Sequence, residues 1–153
     1  MSLADGRIAT GGYDGRVRVW APHHPGPVEL GTAIAPGLPN RSVGAVTALP
    51  DARIPTGGRD NRVLIWDSHH PGTPLELGTH DDWVGSVIAL PDGRIATGGD
   101  CKVRIWNPHR HGTPVIERNE RSTSLAVSGV NQDYLVVANG ITLWRITSSR
   151  SAA

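Results

Sequence analysis

Polar and apolar residues alternate in short runs along most of the chain. In "RVRVW", which begins at Arg16, every second residue is apolar, as in a strand that packs one face on a core. Related runs are "RVLIW" from Arg62 and "KVRIW" from Lys102. Gly, Pro, Asp and Asn separate the runs, which are too short to form independent helices. The pattern therefore predicts an all-β chain of short strands.

The runs recur in a fixed order along the chain. A Val-rich run such as "VGSVIAL" is followed by a "RIATG" run, then by a run of the "KVRIW" type, and then by "PLELGT" or a relative of it. We name these four strands inner, second, third and outer. The tryptophans that end the third strands are Trp20, Trp66, Trp106 and Trp144, at spacings of 46, 40 and 38 residues. Such a period is typical of repeat architectures.

The strand count at the two ends differs from that in the middle. The chain begins at a second strand, with only Ser2-Leu3 left of an inner strand, and ends at a third strand. The order predicts three, four, four and three strands. We place the repeats at residues 3–32, 43–79, 84–117 and 122–146 of a domain that covers residues 1–147, followed by a polar tail, 148–153. An insertion near residues 33–42 lengthens the first spacing.

The composition limits which binding partners and which cellular compartment we expect for the protein. Fifteen Lys and Arg against 14 Asp and Glu give a net charge of +1, which argues against a nucleic-acid-binding surface. No apolar run approaches the roughly 18 residues of a membrane span, and the N-terminus lacks the order of a signal peptide. A single cysteine, Cys101, excludes an internal disulfide and fits a reducing compartment. We expect a cytoplasmic protein that binds neither nucleic acid nor membrane.

Four short strands per repeat, with a Trp at the end of the third, resemble the WD40 repeats of β-propellers. In that family a Ser or Thr of the second strand, an Asp of the next turn, the third-strand Trp and a His before the inner strand form a hydrogen-bonded network. The matching residues here are Thr10, Asp14 and Trp20, then Thr56, Asp60 and Trp66, then His80, Thr97, Asp100 and Trp106.

The resemblance implies a structural role for this network rather than a catalytic one. Thr and Asp recur in repeats that lack the His, as a scaffold role requires. Only the third repeat has all four residues. Pro39 stands near the His position of the second repeat, and the last repeat has Ala138 where the Asp would be.

The resemblance also implies a propeller arc of about four blades, two complete and two lacking a strand. An open arc leaves two apolar blade faces exposed, so they have to be covered. We expect a homodimer of two arcs that gives about eight blades, through a heterologous contact between the first blade of one chain and the last of the other. The alternatives are a larger ring, a four-bladed monomer and a segment of a longer propeller.

A WD40-like fold implies a non-catalytic scaffold that binds a protein or peptide through the top face and central channel. Trp is frequent at binding hot spots, and the acidic pair beside Trp83 suits a basic partner. Alternatively, Trp83 packs against a neighbouring blade. The candidate partner-binding residues are Trp83, Asp81 and Asp82 before an inner strand, and Tyr13 and Arg59 in second-to-third turns.

The sequence gives weaker support to two other functions. A lectin-like propeller would bind glycans or small ligands at repeated sites, but few aromatic residues recur between repeats. An enzyme with a site in the central channel has no supporting motif.

Paired histidines raise the possibility of a metal site. They lie in third-to-outer turns, at His23-His24, His69-His70 and His109 with His111. A transition-metal site needs three or four converging ligands, and each pair belongs to a different blade. We therefore expect no metal and no cofactor. The strand arginines, Arg7, Arg16, Arg53, Arg62 and Arg94, are expected to make polar contacts between blades.

Overall fold

The structure, a computed structural model, describes residues 1–33 and 42–119 in full, together with the backbone of three strands between residues 124 and 145. All of its regular elements are strands. These are β1 (Ile8–Gly11), β2 (Arg16–Trp20), β3 (Val28–Thr32), β4 (Val43–Val46), β5 (Arg53–Gly58), β6 (Arg62–Asp67), β7 (Leu75–Thr79), β8 (Val84–Ala89), β9 (Ile95–Gly99), β10 (Lys102–Trp106), β11 (Ile116–Asn119), β12 (Ser124–Ser128), β13 (Tyr134–Ala138) and β14 (Thr142–Arg145).

The strands form four antiparallel sheets, which we call blades 1 to 4. Their orders are β1-β2-β3, β4-β5-β6-β7, β8-β9-β10-β11 and β12-β13-β14. The prediction of an all-β arc with three, four, four and three strands is confirmed. β11 runs two residues past the predicted end of the third repeat. Most of the predicted insertion, residues 34–41, and the predicted polar tail lie outside the described residues.

Residues 1–3 occupy the end of an inner strand in blade 1. Ser2 bridges Ile8, and the amide N of Leu3 donates to the Arg7 carbonyl at 2.7 Å. In blade 2 the amide of Leu49 donates in the same way to the carbonyl of Arg53, at 2.8 Å. The sequence-based prediction that Ser2-Leu3 remain of an inner strand is confirmed.

The hydrophobic core lies between blades rather than at one centre. Because side chains of a strand alternate between the two faces of its sheet, each blade can bury apolar residues against both neighbours. One cluster joins blades 1 and 2, and a second joins blades 2 and 3. The first contains Leu3, Ala9, Val17, Val19, Leu30, Ala33, Val43, Ile54, Leu64 and Trp66; the second contains Leu49, Val63, Ile65, Leu77, Val84, Val87, Ile95 and Trp106.

At each of these interfaces a Trp ring packs against a glycine of the preceding blade. The pairing of β2 with β3 shifts between Val17 and Arg18, which leaves Leu30 as an extra residue that turns into the core. The next residue, Gly31, faces Trp66 so closely that a Cβ atom would lie 2.7 Å from Cζ3 of the ring. β7 has the same shift, and a Cβ on Gly78 would overlap the ring of Trp106. We call this arrangement the Leu-Gly bulge.

The outer strand of blade 3 lacks the Leu-Gly bulge. Arg118 lies opposite Val103, in the place that Gly78 holds opposite Val63. The pairing of β10 with β11 shows no register shift, because "IERN" has one residue fewer than "LELGT". All four residues of β11 are exposed.

One face of blade 1 is uncovered. Ile8 and Trp20 are a cross-strand pair, equivalent to Ile54 with Trp66 in blade 2. The pair is fully buried in blade 2, where Trp66 is 1% exposed, whereas Trp20 is 43% exposed. Trp66 faces blade 1, so its counterpart Trp20 lies on the side of blade 1 that turns away from blade 2.

Arginine side chains also join the blades. Arg7 donates from both Nη atoms, at 2.9 Å each, to the carbonyl and hydroxyl oxygens of Ser68 in the next blade. The equivalent Arg53 donates to the Pro108 carbonyl at 3.4 Å. The expected contacts between blades are therefore confirmed for these two arginines and for Arg62, whose Nη2 donates to the Ala33 carbonyl of blade 1. The expectation is wrong for Arg16, which pairs with Glu29 of its own blade because the face of blade 1 on which it lies is open.

Membrane insertion through helices has no support in the described residues, where no helix is long and apolar enough to cross a bilayer.

The Gly–Trp packing predicts the effect of adding one methyl group. Gly78→Ala should lower the free energy of unfolding by about 2 kcal/mol, because the new Cβ overlaps the buried ring of Trp106. Urea unfolding followed by circular dichroism measures the change. Gly26→Ala is the matched control: no atom lies within 4 Å of its added Cβ, so we expect a change below about 0.5 kcal/mol. Equal effects of the two substitutions would contradict the described interface.

Candidate functional site

A buried network of four side chains connects blades 2 and 3. His80 directly follows β7; its Nδ1 lies 2.6 Å from Oδ1 of Asp100, and its Nε2 lies 2.7 Å from Oγ1 of Thr97. The same hydroxyl oxygen accepts a hydrogen bond from Nε1 of Trp106 at 2.7 Å. The structure thus brings together all four residues that the third repeat was expected to contribute.

A neutral imidazole satisfies every polar atom of this network. Trp106 donates to the Thr97 hydroxyl, which donates its own proton to Nε2, while Nδ1–H donates to Asp100. Burial lowers the pKa of His80 below its usual 6.5 and outweighs the opposing effect of the hydrogen bond that His80 donates to Asp100. The network is therefore stable in its uncharged-imidazole form.

Arg104 completes the surroundings of Asp100. Its guanidinium lies 2.8 Å from Asp100 and 2.6 Å from Glu117, and the side chain is buried. Burial disfavours ionisation of Asp100, but hydrogen bonds from the Asp81 amide, His80 and Arg104 outweigh it and lower the pKa of that carboxyl. Sequence reasoning missed Arg104. The available signal was its position four residues after Asp100 on a strand, opposite Glu117.

A short turn places Asp100 beside His80. Asp100 and Cys101 both have positive φ, at 47° and 57°, as in a two-residue type I′ hairpin between Gly99 and Lys102. The corresponding turns are longer, at residues 12–15 in blade 1 and 59–61 in blade 2. Cys101 is an exposed turn residue.

In the first two repeats the described residues form only the Trp–Thr half of the network. Nε1 of Trp20 donates to Thr10 Oγ1, and Nε1 of Trp66 donates to Thr56 Oγ1, both at 2.9 Å. The aspartates of these repeats, Asp14 and Asp60, instead bind the arginines Arg18 and Arg62. The last repeat, with Ala138 and Trp144, is described by its backbone alone.

Ala33 holds the place in blade 1 that His80 holds in blade 2. The amide of Ala33 donates to the Gly15 carbonyl, and that of His80 donates to the Asn61 carbonyl, both at 2.8 Å. Ala33, rather than Pro39, is thus the equivalent residue; Pro39 lies outside the described residues. A methyl group cannot form a hydrogen bond to Thr56 or Asp60, so the described residues form no such relay between blades 1 and 2.

The second set of predicted residues lies at one end of the blades. We define the top face as the end that carries the turns 12–15, 59–61 and 100–101 and the residues before β4 and β8. The amide of Arg59 donates to the Ser42 carbonyl at 3.1 Å, and that of Asp81 donates to Oδ2 of Asp100 at 2.9 Å. These bonds connect each turn to the residues before an inner strand.

Trp83 lies on the top face where blades 2 and 3 meet. Its ring packs beside Gly44 of blade 2, where a Cβ would lie 3.1 Å from Nε1. The guanidinium carbon of Arg59 lies 5.3 Å from the ring centroid, within cation–π distance. The side chain is still 40% exposed. The indole therefore contacts a neighbouring blade and also presents a surface to solvent.

The other predicted residues surround Trp83 to different degrees. Asp81 is exposed and pairs with Lys102 at 3.0 Å, so part of the expected negative charge is neutralised. Asp82 accepts a hydrogen bond from the Trp83 amide at 2.7 Å and is also exposed. Tyr13 is almost fully exposed in the turn of blade 1. The structure thus brings Arg59, Asp82 and Trp83 together.

The paired histidines lie in separate turns. His70 pairs with Asp67 at 2.8 Å, and Nδ1 of His24 lies 2.9 Å from the Gly26 carbonyl oxygen. Among the described residues no group of three or more His, Cys, Asp or Glu is arranged to hold a metal ion.

A cavity of about 260 Å³ lies at the opposite end of the blades from the top face. Equivalent turns of blades 1, 2 and 3 line it with small and apolar residues, among them Met1, Leu49 and Leu90. None of the described residues that line it has a charged side chain, so we assign the candidate site to the top face.

Comparison with known proteins agrees with this architecture. The family model WD40, described as "WD domain, G-beta repeat", matches residues 2–21 and 73–107. Among solved structures the chain is similar to the WD40 β-propeller domain of Doa1, with a TM-score of 0.72 and 19% sequence identity over 92% of the chain. The chain spans about half of that propeller, 48% of its length. No protein with a curated description matches the sequence significantly.

Two segments of the chain therefore match the WD40 repeat, and the fold is that of part of a β-propeller. WD40 propellers generally serve as non-enzymatic scaffolds that bind proteins or peptides.

The neutral form of His80 predicts a pH dependence of stability. Because the pKa of His80 is lower in the folded than in the unfolded chain, the unfolded chain binds more protons below the ordinary value of 6.5. The free energy of unfolding should be highest above pH 6.5 and fall between pH 6.5 and 5, by at most about 1.4 kcal/mol per pH unit. The Asp100 contribution is lost only below pH 3.8. Urea unfolding at pH 7, 6 and 5 measures the dependence.

His80→Gln is the matched variant, since an amide can still form hydrogen bonds but does not titrate. Its stability should change less than that of the native chain between pH 7 and 5. The same slope in both proteins would contradict a buried neutral His80.

Proposed function

We propose that the chain is a non-catalytic WD40-type scaffold that binds a protein or peptide through the top face, with Trp83 as the anchor. The observation that carries the proposal is the geometry of Trp83. Its ring is held between Gly44 and Arg59 and is still 40% exposed. Binding through a ring that is already held in place costs little conformational entropy. Trp is also frequent at binding hot spots.

The charges around Trp83 favour a segment that contains Arg or Lys. Asp81 and Asp82, which directly precede Trp83 in the chain, are exposed carboxylates. A guanidinium from the partner can replace Arg59 over the indole and pair with Asp82, so that cation–π contact and charge act on one group. Arg59 thus occupies the ring face in the free protein in the way that the partner would occupy it in the complex.

The lectin-like alternative has less support. Equivalent sugar sites need an aromatic ring at the same place in each repeat. The exposed aromatic residues among the described part of the chain, Tyr13, Trp20 and Trp83, hold three different places in their repeats.

An array of twelve-residue peptides, with a central Arg or a central Glu in otherwise identical sequences, tests the top-face proposal. We expect the full chain to bind Arg peptides, and Trp83→Ala to weaken binding at least about tenfold, as loss of a hot spot does. Val115→Ala is the control: this exposed apolar side chain lies away from the top face. Equal binding of Arg and Glu peptides, or no effect of Trp83→Ala, would rule the proposal out.

We propose further that two arcs assemble into a homodimer of about eight blades, in the cytoplasm. The uncovered Ile8–Trp20 pair supports assembly, because the equivalent pair is buried in blades 2 and 3, where a preceding blade packs against it. Coverage of 48% of a solved propeller also fits two arcs per ring. The exposed thiol of Cys101 is compatible with a reducing compartment.

Light scattering at micromolar concentration tests the assembly. We expect a molar mass of about twice 16.3 kDa for the native chain and about 16.3 kDa for Trp20→Asp, which places a charge on the uncovered face. A native monomer would rule out closure by pairing, and a higher multiple would indicate a larger ring.

A further inference from the structure

The uncovered face of blade 1 has the same side chains as a face of blade 3 that blade 2 covers. In blade 3 the cross-strand pairs are Ile95 with Trp106 and Thr97 with Arg104; in blade 1 they are Ile8 with Trp20 and Thr10 with Arg18. The residues that cover blade 3 therefore indicate what fits on blade 1.

Four consecutive residues of blade 2 make the central contacts with blade 3. In Leu77-Gly78-Thr79-His80, the leucine is buried in the core and the glycine lies under the ring of Trp106. The imidazole of His80 then reaches Thr97 at 2.7 Å and Asp100 at 2.6 Å. One outer strand thus supplies both the apolar contact and the polar contact.

Blade 1 has the complementary groups already in place. Nε1 of Trp20 donates to Thr10 Oγ1, as Trp106 does to Thr97. Asp14 lies in the matching turn and pairs with Arg18, as Asp100 pairs with Arg104. Trp20 is 43% exposed where Trp106 is 1% exposed. The face differs from that of blade 3 mainly in having no strand over it.

We propose that the uncovered face of blade 1 binds the outer strand of a WD40 blade from another polypeptide, through a Leu-Gly-Thr-His sequence. Its glycine lies under Trp20, and its imidazole binds the Thr10 hydroxyl on the side of Asp14. A folded second copy cannot supply this strand, because the one Leu-Gly-Thr-His of the chain, residues 77–80, is held between its own blades 2 and 3.

The inference concerns the same face as the proposed homodimer and is an alternative use of it. A partner arc that covers Trp20 and a separate outer strand exclude each other at this face. Binding of the strand to blade 1 does not depend on recognition of peptides at Trp83.

A peptide that copies residues 73–82, Thr-Pro-Leu-Glu-Leu-Gly-Thr-His-Asp-Asp, is the probe. The full ¹⁵N-labelled chain is titrated and the indole N–H signals are followed, that of Trp20 being assigned with Trp20→Phe. We expect a saturable shift of the Trp20 signal. The peptide with His80→Ala should bind about tenfold more weakly, and Gly78→Val should abolish the shift, because a side chain there overlaps the ring.

Three results would overturn the proposal. The Trp20 signal would not shift at millimolar peptide, or the His80→Ala peptide would bind as tightly as the native-sequence peptide. The third is a native dimer that shields Trp20 and from which the peptide does not displace the partner chain. Since the peptides carry the decisive substitutions, misfolding of a protein variant cannot mimic these outcomes. Trp83→Ala protein should retain full affinity for the strand peptide, so failure of top-face binding and failure of strand binding are separately visible. Molar mass measured on the same samples shows, independently of both binding tests, whether the chain forms the homodimer.

Discussion

The contact between a tryptophan ring and a glycine of the preceding blade determines how the rest of the chain is arranged. It needs an extra leucine in the outer strand, a glycine directly after it, and a third strand that ends in Trp on the facing blade. Where all three are present, as for Trp66 and Trp106, the ring is buried. No described blade packs against Trp20, and its ring is partly exposed to solvent although its own blade is correctly formed.

The buried network and the candidate binding surface are parts of one structure. Inside the interface, Oδ1 of Asp100 binds His80 and Oδ2 accepts a hydrogen bond from Arg104. Oδ2 also accepts a hydrogen bond from the amide of Asp81 at the top face. This bond fixes the backbone just before Asp82 and Trp83. The buried network thus holds the exposed indole in place, which is how a rigid framework presents a variable surface.

The sequence was sufficient for features that depend on local patterns and insufficient for those that depend on contacts between blades. Alternation and turn residues determine each hairpin, so the strand count and the remnant at Ser2-Leu3 were predictable. The role of Ala33 was not, because the insertion that follows it obscures its equivalence with His80. The stacking of Arg59 on Trp83 was also not predictable, since the two residues belong to different blades and their distance depends on how the blades pack.

The uncovered face of blade 1 has a consequence for the order in which the chain unfolds. In repeat proteins the stability of a unit is set by its own hydrogen bonds and by its neighbours. Blade 2 is held by apolar clusters on both sides, whereas blade 1 contributes to one only. Local unfolding should therefore begin at β1–β3 and spread toward blade 2. The free energy of local unfolding is then lower for blade 1 than for blade 2.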